Sequence, residues 1–206
     1  MKLYFVRHGE SEANLLREFS NSGVKHPLTG KGVEQARTLA YELRDKPFAM
    51  IYSSPVLRAM QTAHILADQV NAPVEVTEAL REWSVGIYEG TTGPEGWELH
   101  RQVQEDWFFH DKPESKMPGG ENLIEIKARF VPFIEKLVEQ NKDTERNILC
   151  VAHGGLYIAM LPLILKNIDH AFANEQGVAH TSPTIAEVRP DGLYCTSWCD
   201  MPIKSC

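Results

Sequence analysis

Two histidines in this chain each end an apolar segment and directly precede a glycine. His8 follows the first apolar segment of the sequence, with Arg7 before it, and His153 follows another apolar segment late in the chain. A further apolar segment at 49–52 is followed closely by Arg58. Such runs predict buried strands, and open α/β folds bind ligands at the carboxyl ends of these strands. We therefore expect two imidazoles and two guanidinium groups to converge at one edge of a sheet.

These residue types suit phosphoryl transfer. That reaction needs a nucleophile, positive charge spread around the phosphoryl oxygens, and an acid that protonates the leaving oxygen. A neutral ring nitrogen of His8 can attack phosphorus and form a covalent phosphohistidine. Arg7 and Arg58 match the geometry of a phosphate, and their charges favour the neutral form of His8. We expect His153 to complete the cradle as a donor to the phosphoryl oxygens, and the amides near Gly154 to add a helix N-terminal dipole.

Further motifs extend this pattern along the chain in a fixed order. They are Arg7–Glu10, Asn14, Leu28–Gly32 with Gln35-Ala36, Ser53–Ala63, Leu80–Glu82 with Gly86 and Glu89-Gly90, Pro118–Glu121, and His153–Gly155. In these motifs and their order the chain resembles the histidine phosphatase superfamily, also called phosphoglycerate-mutase-like, over most of its length. A lone Arg-His-Gly would be weak support, whereas blocks in the family order make coincidence implausible.

The resemblance implies roles for further residues. It places the acid at Glu82, where partial burial beside a phosphate would raise the pKa of the carboxyl group. Glu10 is the competitor by proximity to His8, and a structural role at the turn is the better interpretation for it. Asn14 and, less securely, Ser20 resemble residues that bind phosphate oxygens, although Asn14 could simply cap a helix.

The function implied is a metal-independent phosphomonoester hydrolase that acts through a phosphohistidine on a small phosphorylated metabolite, of the histidine acid phosphatase type. The alternative is phosphoryl transfer of the phosphoglycerate mutase type. The chain is short, and its segment after Gly90 is aromatic where mutases carry arginines for a carboxylate, which favours hydrolysis. A binding module that kept the fold without turnover is the remaining alternative. No cofactor is expected, and scattered Asp and Glu residues indicate no metal site.

Apolar runs alternate with helical patterns along the chain, which is typical of a layered α/β fold. The resemblance implies the same architecture, a three-layer sandwich with a largely parallel central sheet flanked by helices. Strands are predicted near 2–7, 48–53, 73–77, 147–152, 184–189 and 193–198, with a hairpin turn at Asp191-Gly192. Helices are predicted near 30–45 with Thr29 as cap, near 56–70 and near 121–140.

Composition sets broader limits. The chain has 206 residues, a net charge of -7 and a hydrophobic fraction of 43%, which predicts one domain, 1–206, with a substantial core. The negative charge argues against nucleic-acid and membrane partners, and no apolar run reaches the ~20 residues of a membrane helix. The sequence begins with a predicted strand instead of a signal peptide. We expect a cytoplasmic protein whose partner is a small phosphomonoester; a homodimer stays open.

Residues 91–118 differ from the rest in their many aromatic side chains. They are interpreted either as a cap over the active site or as a surface helix whose aromatics pack on the main body, and both can hold together. Isolated histidines in and near this segment, such as His100 and His110, are expected to be packed or solvent-facing. His180 could be a substrate contact, with a packed or solvated ring as the alternative.

The cysteines are interpreted without a metal. Cys150 lies in an apolar run and is expected to be a small buried strand residue. Cys195, Cys199 and Cys206 cluster near the C-terminus but form no tight Cys-x-x-Cys pair, so we expect free thiols.

Overall fold

The structure, a computed structural model, describes residues 1–141 and 144–204, which contain one seven-stranded sheet. Its strands in chain order are β1 (Lys2–Arg7), β2 (Phe48–Ser53), β3 (Val74–Val76), β4 (Asn147–Ala152), β5 (Thr184–Arg189), β6 (Gly192–Trp198) and β7 (Met201–Pro202). They lie side by side in the order β3-β2-β4-β1-β5-β6-β7. All the predicted strands are present, and the structure contains one further strand, β7, that the sequence did not predict.

The sheet has a parallel part and an antiparallel part. β3, β2, β4 and β1 run parallel, whereas β5 is antiparallel to β1, β6 to β5 and β7 to β6. The α/β fold class is confirmed, but the expectation of a largely parallel sheet holds only for the part that carries the histidines. β5 and β6 are joined by the short turn at Pro190-Asp191. A tight turn can only connect antiparallel neighbours, because a parallel connection needs a crossover of a dozen or more residues.

Helices cover both faces of the sheet. They are α1 (Glu12–Leu16), α2 (Gly30–Leu43), α3 (Leu57–Val70), α4 (Pro94–Phe109), α5 (Leu123–Asn141), α6 (Gly154–Ile164) and α7 (His170–Gln176), with short 3-10 turns at Glu78–Leu80 and Gly86–Tyr88. The predicted cap of α2 is present, since Thr29 Oγ1 accepts a hydrogen bond from the Gly32 amide at 3.0 Å. None of the helices in the described ranges combines the length and apolar character needed to cross a membrane.

The alternation of side chains along β1 creates two cores. Leu3 and Phe5 point to one face of the sheet, where they join the cluster formed with α5 and α6. Tyr4 and Val6 point to the other face and join the cluster formed with α2 and α3. Because both faces are buried, β1 reads as a continuous apolar run, as expected for a central strand of an α/β sheet.

The described cysteines have no disulfide partner. Cys150 is fully buried in β4, as expected, and burial raises the pKa of its thiol. Burial also raises the pKa of Cys195, to about 12. Cys199 is half-buried and free, and Cys206 lies outside the described residues.

Helix α5 provides a test of the core. Phe130 is fully buried on its inner face, while Ile124 on the same helix is 55% exposed. Phe130→Ala should lower the free energy of unfolding by about 3–5 kcal/mol, because it removes a buried ring and leaves a cavity. Ile124→Ala, the matched control, should change the free energy of unfolding by less than about 1 kcal/mol. Urea titration of both variants measures the two effects; similar losses would contradict the assignment of α5 faces.

Candidate active site

The parallel part of the sheet places the predicted residues at one edge. β2, β4 and β1 are neighbours whose registers pair Ser53 with Val151 and Arg7 with Ala152, so the three strands end level. A pocket of about 240 Å³ lies at this edge. Most of the residues predicted from the sequence line it: Arg7, His8, Asn14, Ser20, Arg58, Glu82 and Gly154. The eighth, His153, lies against His8, with ring centroids 5.2 Å apart.

Arg58 connects three parts of the site. It lies in the first turn of α3 and is 5% exposed. Its Nε donates to His8 Nε2 at 2.8 Å, its Nη1 donates to the Ser20 carbonyl at 2.6 Å, and its Nη2 is 3.3 Å from His153 Nδ1. Burial lowers the pKa of Arg58 to about 10, and the carboxyl group of Glu82 opposes that shift. The guanidinium therefore stays charged at neutral pH.

The contacts of His8 determine which ring nitrogen carries the proton. Nδ1 lies 2.7 Å from the Gly9 carbonyl, which can only accept a hydrogen bond, so Nδ1 carries the proton. Nε2 faces Arg58, which can only donate, so Nε2 holds the lone pair. Burial is the main cause that lowers the pKa of His8 well below 6.5, and the charge of Arg58 adds to it. The ring is thus a neutral base with its lone pair on Nε2.

His153 is neutral for the same reasons. It is 1% exposed, and burial, followed by the charge of Arg58, lowers its pKa well below 6.5. Nδ1 faces the donor Arg58, so it accepts. Nε2 then carries the proton and donates to Ser54 Oγ at 2.7 Å. In this arrangement His153 presents a lone pair, not an N–H group, towards the guanidinium of Arg58.

Glu82 is a buried carboxyl group at the pocket, 8% exposed. Its Oε1 accepts from the Trp83 amide and its Oε2 from the Gly155 amide, each at 3.0 Å. Burial raises the pKa of Glu82, against the opposing effect of those amides and of Arg58. The protonated form is therefore more favoured than for a carboxyl group in water.

Arg7 presents an unused donor. Its Nη1 donates to the Val178 carbonyl at 2.8 Å, while its buried Nε has no hydrogen-bond partner among the described residues. Gly154 packs closely against it: a Cβ atom there would lie 3.2 Å from Arg7 Nε. Buried donors are normally paired, so the free Nε and the N-terminus of α6 beside it are suited to an anion.

Asn14 fits both interpretations given above. Its Oδ1 accepts from the Ser11 amide at 3.0 Å and completes the capping box of α1. Its Nδ2 forms no hydrogen bond with a described residue, and Asn14 lines the pocket. Ser20 also lines the pocket, and its carbonyl holds Arg58. Glu10 lies away from the lining: its carboxylate contacts Lys31 Nζ at 2.8 Å and Thr29 Oγ1 at 3.0 Å. This is the structural role expected for it.

The sequence did not assign Ser54 and Gly155 a role at the site. Gly155 is required by close packing, because a Cβ atom there would lie 2.8 Å from Trp83 Nε1 and 3.0 Å from Glu82 Oε2. Both residues stand inside recognised motifs, so their position was a usable signal. His180 donates from Nδ1 to the His8 carbonyl at 2.7 Å and lines a neighbouring hollow instead of this pocket. The hydrogen bond of His180 is therefore made to the main chain of His8.

His100 was expected to be packed or solvent-facing, and it is packed. It also lines the pocket from α4, together with Trp97 and Gln104. Its ring stacks on Trp83 with centroids 4.4 Å apart. No periodic pattern distinguishes this histidine from a surface one, because its position depends on how α4 packs across the pocket.

In the ranges 1–141 and 144–204, no three side chains of His, Cys, Asp or Glu are grouped so that they could hold a metal ion. The chemistry available at the site is that of two neutral imidazoles, two guanidinium groups and one buried carboxyl group. Together with a mixed α/β sheet, these define the class of two-histidine phosphoryl-transfer proteins.

Comparison with known proteins identifies the family. The chain matches the histidine phosphatase superfamily (branch 1) over residues 3–201, and it belongs to that family. It is 34% identical over 181 residues to "Putative phosphoserine phosphatase 2" of Hydrogenobacter thermophilus, covering 86% of this chain and 87% of the relative. It is 28% identical over 200 residues to 2,3-bisphosphoglycerate-dependent phosphoglycerate mutase 2 of Gloeobacter violaceus, covering 93% and 88%.

Among solved structures, a mycobacterial glucosyl-3-phosphoglycerate phosphatase in complex with VO3 superposes with a TM-score of 0.82 at 25% identity, covering 96% of this chain and 98% of that one. The relatives include both phosphatases and mutases. The family resemblance predicted from the motifs is therefore confirmed, and the general reaction is phosphoryl transfer of the phosphatase or mutase kind.

The burial of His100 predicts a pH dependence of stability. Burial lowers its pKa from 6.5 to about 4, so the folded chain keeps the ring neutral where the unfolded chain takes up a proton. The stability that depends on the neutral ring is complete above pH 6.5 and is lost as the pH falls towards 4. Between pH 7 and pH 4.5, wild type should lose about 2 kcal/mol relative to His100→Phe, which does not titrate.

Chemical denaturation of both proteins across that pH range measures the difference. His64 is exposed on α3 and provides the matched control, because its ring is open to water in both states. His64→Phe should follow the pH dependence of wild type. A constant difference between wild type and His100→Phe would contradict the burial of this ring.

Proposed function

We propose that this protein is a metal-independent phosphomonoester hydrolase that acts through a phosphohistidine at Nε2 of His8 on a small phosphorylated metabolite. The observation that carries the proposal is the arrangement of His8. The Gly9 carbonyl fixes the proton on Nδ1, and the lone pair on Nε2 lies against Arg58 in a pocket lined also by Arg7. A neutral nucleophile beside two fixed cations is suited to attack on a phosphate dianion.

Substrate binding must release the nucleophile. Without substrate, Arg58 Nε donates to the same lone pair that would attack phosphorus. A phosphoryl oxygen is a stronger acceptor because it is charged, so the guanidinium should turn its Nε–H to that oxygen. The free Nε of Arg7, the Nδ2 of Asn14 and the amide of Gly154 supply further donors at the pocket. Binding of the anion would thereby expose Nε2 of His8.

The first chemical step transfers the phosphoryl group to His8. The lone pair on Nε2 forms the bond to phosphorus while the bond to the leaving oxygen breaks. Protonated Glu82 gives its proton to that oxygen, so the product leaves as an alcohol. The raised pKa of Glu82 supports this role, because its carboxyl group is held in the acid form more readily than in water.

The second step returns the site to its starting state. Glu82, now a carboxylate, takes a proton from a water molecule as that water attacks phosphorus. The bond between phosphorus and Nε2 breaks, inorganic phosphate leaves, and His8 recovers its lone pair. The amides of Trp83 and Gly155 stabilise the carboxylate between the two steps.

His153 can change which ring nitrogen carries its proton, with Ser54 as the hydrogen-bond partner. Once Arg58 turns to the phosphoryl group, Nε2 can release its proton to water while Nδ1 takes up a proton from water, so the ring stays neutral. The hydroxyl of Ser54 then reverses and donates to Nε2, because a hydroxyl both donates and accepts, and the proton on Nδ1 is donated in a hydrogen bond to a phosphoryl oxygen. This would give His153 the role expected from the sequence.

The proposal includes the setting of the reaction. We place residues 91–118, which contain α4, as a cap whose inner side lines the pocket, within a single domain of residues 1–206. We also propose a cytoplasmic location, a small phosphomonoester as the partner, and no nucleic-acid or membrane partner; the net charge of -7 supports the last of these. A structural neighbour forms a complex with VO3, which supports the proposal that this chain binds a phosphate-like anion.

The alternative is a mutase, favoured by the similarity to a phosphoglycerate mutase. The two reactions separate in one assay, in which phosphate release from an aryl phosphate and from 3-phosphoglycerate is measured with a chelator present, while 2-phosphoglycerate is followed in parallel. Chelator-resistant phosphate release supports the hydrolase. Isomer formation without release would assign the mutase instead.

Replacement of His8 tests the nucleophile. His8→Ala should lower kcat by at least about 10⁴-fold and abolish covalent labelling from a radioactive phosphomonoester, because it removes the nitrogen that forms the bond to phosphorus. Rapid quench and gel analysis of the acid-labile label measures the intermediate. His64→Ala, at an exposed position, should keep both turnover and label. A labelled His8→Ala protein would place the nucleophile elsewhere.

Replacement of Glu82 tests the acid. Glu82→Gln should slow alkyl phosphates by about 10²–10⁴-fold and p-nitrophenyl phosphate much less, because a good leaving group needs no proton. In wild type, kcat/KM should fall as the pH rises through the raised pKa of Glu82, and this alkaline limb should disappear in the variant. Glu10→Gln is the matched control and should keep the wild-type dependence on the leaving group. Equal losses for all esters in Glu82→Gln would remove Glu82 from the acid role.

A further inference from the structure

The lining of the pocket divides into two regions. The phosphoryl group must lie against His8 and Arg58, which leaves the remaining lining to the alcohol half of the substrate. That remaining part comes from α4, from α6 and from the segment around residue 19, and it contains Glu18, Trp97, His100, Gln104 and Ile158. What these side chains offer determines which alcohol is accepted.

This second region carries no positive charge. Of the described residues that line the pocket, only Arg7 and Arg58 are permanent cations, and both are needed for the phosphoryl group. The ring of His100 is neutral at neutral pH, since burial lowers its pKa to about 4. A leaving group that carries a carboxylate would therefore meet no counter-charge here, and losing its water without a partner is costly.

Glu18 lines the same region as an ion-paired residue. Its carboxylate is kept ionised by hydrogen bonds from Lys25 and His26, which lower its pKa. Lys25, the cation that contacts this residue, is thus already paired. The Glu18–Lys25 pair therefore offers no unpaired positive charge to a second anionic group on the substrate.

His100 and Gln104 offer neutral hydrogen-bonding groups. They are one helical turn apart on α4, so they share a face, and both line the pocket. Neither the ring nitrogens of His100 nor the carboxamide of Gln104 forms a hydrogen bond with any described residue. An imidazole and a carboxamide each both donate and accept, which matches hydroxyl groups. Trp97 and Ile158 supply apolar surface beside them.

We propose that the alcohol half of the substrate is a neutral polyhydroxylated group, a sugar or a polyol, recognised by His100 and Gln104, and that carboxylate-bearing phosphomonoesters are disfavoured. This inference rests on the proposed phosphatase function and narrows its substrate class. It sets this chain apart from relatives whose names include phosphoserine and phosphoglycerate.

A matched pair of esters tests the inference directly. Glycerol 3-phosphate and 3-phosphoglycerate share one carbon skeleton and differ only in a hydroxymethyl group against a carboxylate. Wild type should hydrolyse glycerol 3-phosphate with a kcat/KM at least about tenfold higher than that for 3-phosphoglycerate. The reason is that the carboxylate of 3-phosphoglycerate would lose water in the pocket without meeting a counter-charge. An equal or higher kcat/KM for 3-phosphoglycerate would overturn the inference.

Variants on α4 test the residues. Gln104→Arg places a cation in the pocket and should shift the ratio of kcat/KM for the two esters at least about tenfold in favour of 3-phosphoglycerate. Gln102→Arg adds the same charge to the exposed side of the same helix and should keep the wild-type ratio. His100→Phe keeps a ring beside Trp83 but loses the nitrogens, so it should lower kcat/KM for glycerol 3-phosphate about tenfold and affect p-nitrophenyl phosphate less. A ratio that moves equally in both arginine variants would overturn the role of Gln104.

Assays with p-nitrophenyl phosphate distinguish a failure of the phosphatase function from a failure of the proposed substrate class. If p-nitrophenyl phosphate is hydrolysed and labels His8 while 3-phosphoglycerate is preferred over glycerol 3-phosphate, the phosphatase function stands and the substrate class is wrong. If no ester releases phosphate and no label forms, the phosphatase function fails, and the substrate class fails with it.

Discussion

The buried guanidinium of Arg58 is the interaction on which the site depends. Its three donor groups reach His8 from β1, the Ser20 carbonyl from the loop after α1, and His153 at the end of β4. A single planar cation thus fixes the separation of two imidazoles and of the pocket wall. Removing a cation from water is costly, and it is tolerated here because each edge of the guanidinium meets an acceptor and Glu82 lies near. Burial lowers the pKa of both imidazoles and the same charge adds to that effect, so both rings are neutral, which is the state their chemistry needs.

The fold makes that arrangement rigid through close backbone packing around the strand ends. Gly9 and Gly32 face each other so tightly that a Cβ atom on Gly9 would lie 2.4 Å from the Gly32 carbonyl oxygen. This contact holds the turn after His8 against the start of α2, where Thr29 caps the helix and Glu10 is bonded to it. The motif residues that do not touch the pocket therefore position the ones that do. Their role is to fix the main chain, since side chains at those points would separate the two segments.

The two regions of the pocket come from different parts of the architecture. The phosphoryl region is built from the ends of central strands, which are held on both faces by the core. The alcohol region is built largely from α4, a helix that lies across the pocket and contacts it through Trp97, His100 and Gln104. Substitutions on such a helix can change the leaving group that is accepted without disturbing the strands.

The sequence by itself determined the apolar strands, the residues at their carboxyl ends and the family, because burial on both faces gives continuous apolar runs and the motifs keep fixed spacing. Arg7, His8, Arg58 and His153 could be placed at one edge for that reason. Only the tertiary structure decided which ring nitrogen of His8 holds the proton, since that depends on how the ring turns towards the neighbouring Gly9 carbonyl and on Arg58, which is distant in the sequence. It also decided that Gly155 holds Glu82, that His100 enters the pocket, and that the C-terminal strands are antiparallel. These features depend on packing between distant segments, which local patterns and helix or strand periodicity do not encode.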